Sequence, residues 1–269
     1  MVLLLLVDLD PDLAALGPLG GFFALRTTGA PTEAPPPLPT LAQVYENYGN
    51  HENHHNHGNH GNKAAVEYAY SMAFRIEKVA HALHAPELRI AASIAQQGLA
   101  ARLWSVALGC AALYDRVPDL DPGLLHWDPD AGAPDDLWLS AVRPLPADSE
   151  TLADVVLHGH LRPLTETLHA RHRVARGLLW GNAASALAGT ARQLETWARA
   201  HGRSDAGARA RRITAEVLAH PLLAGTGTLT GTAFRRRSCC LYYRVPGGGL
   251  CGDCCFPRPP RSSPHATSG

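Results

Sequence analysis

The sequence predicts an α+β protein, predominantly α-helical, with a few short strands and a cysteine-rich C-terminal segment. Between residues 86 and 220, apolar side chains recur every three or four positions, the period of helices with one buried face. Short apolar runs bounded by prolines interrupt them, as strands do. Five of the six cysteines then fall between 239 and 255, beyond the last helical stretch.

Residues 1 to about 30 read as one or two short strands, of which Gly21 to Leu25 is the clearest. Pro31 to Pro39 is a proline-rich connector. Glu46 to Asn62 is nearly all Asn, His and Gly, with too little apolar material to pack, and is expected to be a disordered loop. Pro86 suits a first helical position, and Leu88, Ala92, Ala95, Leu99, Leu103 and Val106 then mark one helix to about Leu113. Leu137 to Val142, boxed by Pro134 and Pro144, reads as a strand. Asp148 or Ser149 can cap a helix with Leu152, Val155, Val156 and Leu161 on its apolar face. From Pro163 a single face runs past Leu179 to Trp197, with Gly177 and Gly181 expected to break or bend it. A last helix starts at Ser204 and stops at Pro221, and a Gly/Thr-rich approach leads to the cysteines. The chain therefore divides into an N-terminal part with strands, connector and loop (1–62), a mainly helical scaffold (63–232), a cysteine segment (233–257) and a disordered tail (258–269).

Composition excludes several classes of function. The formal net charge is zero, which disfavours a nucleic-acid partner. The apolar run Leu3 to Leu6 ends at Asp8 and Asp10, far short of the roughly 20 residues of a membrane span. No positive region precedes it and no small-residue cleavage site follows, so a cytoplasmic protein without an integral membrane segment is expected. The thiols of such a protein are kept reduced, so the cysteines call for metal or redox chemistry rather than disulfides.

In the segment Phe234 to Phe256, the adjacent pair Cys239 and Cys240 is followed after ten residues by Cys251 and Cys254. Arg244 to Gly249 lies between, a turn sequence able to fold one pair onto the other. Residues 234–245 read as extended, with Leu241, Tyr242 and Tyr243 shielding one side. Four thiolates satisfy an iron–sulfur cluster. A tetrahedral zinc site is the rival, although zinc usually takes two C-x2-C pairs, and neighbours on an extended strand point to opposite faces. Spacing leaves iron–sulfur, zinc and a thiol switch all open. Cys110 sits alone in an apolar pattern as a small core residue, and Cys255 is an extra thiol.

Cys-Cys-x10-Cys-x2-Cys near the C-terminus, together with Ile90 to Trp104 and Leu178 to Ala186 around Trp180, Gly181 and Asn182, resembles the FhuF-like ferric siderophore reductases. The resemblance spans roughly 86 to 256. It implies a [2Fe–2S] cluster ligated by Cys239, Cys240, Cys251 and Cys254, with no catalytic residue beyond them. The implied activity is one-electron reduction of ferric siderophores, hydroxamates foremost, releasing Fe(II) in the cytoplasm. No Gly-x-Gly-x-x-Gly follows a strand, so the electron is expected from outside, from a ferredoxin or a flavin reductase. Peripheral contact with a siderophore uptake system is compatible with this. A cluster-based redox or iron sensor and a zinc-stapled interaction module are the alternatives.

Other residues carry weaker signals. Arg235, Arg236, Arg237 and Arg244 flank the first pair and can tune a cluster, dock a partner or solvate a strand. Trp180 can wall a pocket, and Asn182 can simply bond its own helix. His158, His160, His169 and His172 are contact candidates. His51, His54, His55, His57 and His60 are read as adventitious metal binders in a tolerant loop.

Overall fold

The computed structural model describes residues 16–28, 37–50 and 71–260, with Leu13 and Ala69. The Asn/His-rich tract beyond residue 50, with its five histidines, the run Leu3 to Leu6 and the tail from 261 lie outside the described residues.

The centre is α3, Leu88–Tyr114, a 27-residue helix about 40 Å long. Its sequence is rich in alanine on every side, and the helix is buried nearly all round, from Ile90 to Ala112. Small side chains allow close neighbours. Its principal partner is α6, Arg176–Ala200, which α7, Ser204–Leu218, covers in turn. Two polar residues of α3 face this seam and find partners in it. Trp104 Nε1 donates to the Ala183 carbonyl at 3.1 Å, and Ser105 lies 3.2 Å from Thr190 Oγ1. Each such bond is worth about 1 kcal/mol, and their greater effect is to fix which residues meet.

Around this pair lie α1 (Leu41–Asn50), α2 (Met72–Leu83), a turn of helix α4 (Ser149–Leu152) and α5 (Arg162–His172). Asp148 caps α4, its Oδ1 accepting the Thr151 N–H at 2.7 Å. The helix then widens into a π-helix, Ala153–Leu161, before α5. The helical face from Pro163, expected to break or bend at Gly177 and Gly181, breaks instead at Arg173, which takes a left-handed φ of 52°. Gly177 and Gly181 both lie inside α6, which passes through them without interruption.

The strands are short. β1 (Arg26–Thr27) runs parallel to β4 (Leu137–Leu139), which pairs antiparallel with β3 (Leu125–Trp127). β2 (Arg116–Pro118) pairs with β5 (Pro144–Pro146). Gly21 to Leu25 is not a strand: Phe23 N–H bonds back to Gly20 O at 2.9 Å in a turn, and β1 begins only at Arg26. Arg102, 1% exposed, ties this N-terminal segment to α3 through Asp136 at 2.9 Å and the Phe22 carbonyl at 2.6 Å.

The Gly/Thr-rich approach proves to be structured. β6 (Gly227–Thr230) and β7 (Ala233–Arg236) form a hairpin that packs on α6 and delivers the chain to the cysteines. Among the described residues no helix is long and apolar enough to cross a membrane.

Candidate metal centre

β7 ends at Arg236, so the extended run expected to Val245 stops before the first cysteine. Leu241 takes a left-handed φ of 72° and a short 3-10 turn, Tyr242–Arg244, follows. Cys239 and Cys240 therefore stand on a bend rather than a strand. Their side chains do not point apart: each thiol acts directly on the ionisation of the other. That removes the premise on which adjacent cysteines would be unsuited to a shared tetrahedral ion. The turn beyond, Pro246 to Gly249, folds the chain back as its sequence suggests. A side chain at Gly248 would sit 2.8 Å from the Val245 carbonyl and closer still to that of Tyr242, so only glycine fits.

The second pair returns beside the first. Cys240 also receives the Cys251 thiol, and Cys254 lies within electrostatic reach of Cys239. Backbone geometry repeats across the set. Leu241 N–H donates to Cys239 Sγ at 3.2 Å and Phe256 N–H to Cys254 Sγ at 3.4 Å. The Tyr242 and Asp253 amides act in the same sense on Cys240 and Cys251, lowering their pKa values. In each case the amide that favours negative sulfur belongs to the residue two positions on. Cys255 does not share this pattern: its backbone bond is to its own amide, and its thiol lies against Cys254.

The neighbouring thiols of Cys239 and Cys251 hold the Cys240 pKa far below the ordinary range, helped by the Tyr242 amide and the Arg236 charge. Cys239 and Cys251 are pushed up, first because they donate to Cys240 and then by burial. Burial, then the charge of Cys254, raises Cys255.

Both helices of the central seam hold this segment. Cys240 O accepts Ser93 Oγ of α3 at 2.9 Å, and Asn182 of α6 donates to Ser93 O at 2.9 Å. Arg236, only 2% exposed, bonds Asn182 Oδ1 and, at 3.4 Å, Leu178 O. Its backbone N–H meets Asp253 O at 3.0 Å. Asp253 turns its carboxylate away from the thiols, to Ser185 Oγ at 2.6 Å and Arg192 at 3.4 Å. Gly181 makes the approach possible, since a Cβ there would stand 2.5 Å from Ser238 Oγ.

The Trp180–Gly181–Asn182 signal is thereby explained, though not as read from sequence. Trp180 is a core residue, 9% exposed. Asn182 bridges α3 to the cysteine segment instead of bonding its own helix. Ser93 and Asp253, which complete the scaffold, carry no legible signal in the sequence. Of the four arginines only Arg236 is buried. Arg235 and Arg237 are exposed, and Arg244 pairs with Glu87 at 2.7 Å. None of the four candidate histidines reaches the centre: His160 bonds Tyr45 and Leu120, His169 bonds the Val174 carbonyl, His172 bonds Tyr48, and His158 packs on His220. Cys110 is buried in the core.

The residues present suit a buried anion. Arg236 Nε and Nη1 are buried without a hydrogen-bond partner. Orphaned guanidinium donors are costly unless an anion answers them, and a thiolate-ligated cluster is one. Among the described residues, no three His, Cys, Asp or Glu side chains surround one point as a single ion would need; the thiols are linked pair by pair.

Two family models match the chain. Residues 97–230 match the ferric iron reductase FhuF-like transporter, and residues 236–256 match the FhuF 2Fe-2S C-terminal domain. The second match covers the whole cysteine segment and brings its cofactor, a [2Fe–2S] cluster. No curated protein matches the chain.

Proposed function

Because the chain belongs to the FhuF-like ferric iron reductase family, whose two models together span more than half of it, we propose that it reduces the iron of ferric siderophores, hydroxamates foremost, in the cytoplasm. Cys239, Cys240, Cys251 and Cys254 are the cluster ligands in this reading, and Cys255 is a spectator. The observation that carries it is the convergence of those four cysteines, each favoured as a thiolate by the amide two residues on, beside the unpartnered Nε and Nη1 of Arg236.

When bound, a [2Fe–2S] centre supplies one electron at a time. Everything else belongs to the protein and the substrate. The chelated iron falls from Fe(III) to Fe(II), and hard anionic oxygens hold the lower charge less tightly, so the metal is released. No nucleophile or proton shuttle is needed. Arg236 places a fixed positive charge at the buried side of the thiols, which favours the state carrying the extra electron. Ser93, Asn182 and Asp253 hold the two pairs against a rigid seam, so that little reorganisation accompanies the change of charge. The electron comes from an external donor, a ferredoxin or flavin reductase. Arg235 and Arg237, exposed beside the centre with Tyr242, suit an acidic ferredoxin, whose approach they would steer.

The test is anaerobic. Purified protein should be coloured and hold iron and acid-labile sulfide in equal amounts. Its reduced form should be reoxidised by a ferric trihydroxamate, with Fe(II) appearing in a ferrous-specific chelator. A reduced centre that reoxidises no faster with the chelate than without it would reject the reading and leave a sensor.

A further inference from the structure

We infer that the ferric chelate binds in a cleft bordered by α3, α6 and the turn Cys251 to Asp253, with Phe22, Gln97 and Gln193 as its contacts. This rests on the reductase reading above and adds to it the place of binding. The cleft holds about 400 Å3, within the roughly 300–1,000 Å3 of small-molecule sites. Its floor is the helix seam, where Ala101, Ala186 and Gly189 keep the side chains short. One side is Cys251, Gly252 and Asp253. An occupant therefore lies against one of the proposed ligand residues, and electron transfer falls off steeply with distance. Cys240, by contrast, is buried beneath Ser93.

A second side is Phe22, a large apolar residue left 44% exposed. It is held firmly for that role. Its carbonyl accepts Arg102 Nη1 at 2.6 Å, and Arg102 is itself buried against Asp136. A rigid aromatic face with one end of its backbone pinned is a ready platform for the methylene arms of a chelator.

The polar lining indicates what fits. Gln97 makes no side-chain hydrogen bond among the described residues, so its amide is unused. Gln193 gives its Nε2 to Leu19 O at 3.2 Å and keeps its carbonyl oxygen for a ligand. The two charged residues of the lining, Arg192 and Asp253, pair with each other at 3.4 Å. The cleft thus offers amides and hydroxyls with no net charge. It suits an uncharged or weakly charged chelate rich in amide and carbonyl groups, and it offers a trianionic chelate no unpaired cation.

Gly189 supplies the test, because a Cβ there meets nothing closer than Arg192 Nη2 at 3.8 Å. Gly189→Leu should fill the cleft without displacing α6, and it replaces a poor helix former with a good one. The probe is the gallium(III) complex of desferrioxamine, a redox-inert trihydroxamate, titrated calorimetrically into the cluster-loaded protein. Gly189→Leu should weaken its binding about tenfold or more and raise KM for the ferric complex similarly, with visible spectrum and potential unchanged. Gln97→Ala should weaken it about three- to tenfold. Gallium tris-catecholate, a trianion, should bind less tightly than the trihydroxamate, and equal or tighter binding overturns the charge assignment. Unchanged affinity and KM in both variants overturn the cleft and leave the reductase reading intact. A wild-type centre that no ferric chelate reoxidises overturns the reading and the cleft together.

Discussion

Single atoms decide the ligand set. The Leu241 and Phe256 N–H groups donate to Cys239 and Cys254, the amides two residues on favour the thiolates of Cys240 and Cys251, and Cys255 does not share the pattern. Cys239→Ser, Cys240→Ser, Cys251→Ser and Cys254→Ser should each lose most of the visible absorbance of the centre, because a four-thiolate cluster has no spare ligand. Cys255→Ser and Cys110→Ser should keep it; loss of the cluster in Cys255→Ser would exchange the roles of Cys254 and Cys255. Arg236 is the residue whose charge bears on Cys240, Cys251 and Cys255 together. A unit charge at this range, in an effective dielectric of about 20, is worth on the order of 1–2 kcal/mol, or about 50–100 mV for a one-electron couple. Arg236→Gln should lower the reduction potential by about that much, while Arg236→Lys keeps most of it. Redox titration followed by electron paramagnetic resonance reads the shift, and equal potentials in all three proteins would remove Arg236 from the electrostatics of the centre.

Among elements, α6 is where scaffold and site join, and Gly181 is its contact point. Adding a methyl at this position raises helix propensity by about 1 kcal/mol and pushes Ser238 Oγ off its 3.3 Å bond to Gly177 O, a loss of similar size. Gly181→Ala should therefore be nearly neutral. Gly181→Leu has no such compensation: the side chain must occupy the space of Ser238 and Arg236. It should lose the cluster while circular dichroism still shows native helix, and a fully loaded Gly181→Leu protein would mean the segment is not seated on this helix. Periodicity made α3, α5, α6 and α7 legible in the sequence to within a few residues, since each buries apolar side chains over several turns. It could not show where the chain turns for other reasons. The break at Arg173 is a left-handed backbone at a non-glycine residue, which no residue preference announces. The bend at Cys239 and Cys240 depends on Leu241 in the same conformation, so an extended reading was the natural one. The cysteines were legible because thiol spacing is itself the chemistry. Ser93 and Asp253 were not, and Asn182 was legible only as a polar break in an apolar helix, because a buried hydrogen bond between distant residues leaves no local pattern.

At the scale of the whole molecule, the π-helix and α1 are locked together by one buried histidine, and acid should find it. His160 is fully buried, with Nε2 2.6 Å from the Leu120 carbonyl and Nδ1 3.0 Å from Tyr45 Oη. A carbonyl can only accept, so Nε2 carries the hydrogen and Nδ1 accepts from the tyrosine hydroxyl. Burial keeps that hydroxyl protonated by pushing its pKa well up. Burial also lowers the His160 pKa from 6.5 to about 4, outweighing the Leu120 bond and the Asp121 charge that act the other way. Between about pH 4 and 6.5 the unfolded chain therefore binds a proton that the folded one refuses, and stability rises with pH across that window. The contribution is complete above about 6.5 and is lost as the pH falls to about 4. Its full size is on the order of 3 kcal/mol. His172, half-buried beside Tyr48, and His220 are lowered in the same direction by burial first, and steepen the same slope. A His160→Gln protein keeps an amide donor for Leu120 and an acceptor for Tyr45 but has nothing to protonate. Urea midpoints measured from pH 4 to 7.5 should rise more steeply in the wild type, by close to one proton, with the two curves parallel above pH 6.5. Parallel curves throughout would mean that this histidine titrates alike in both states and does not tie α1 to the scaffold through its neutral form.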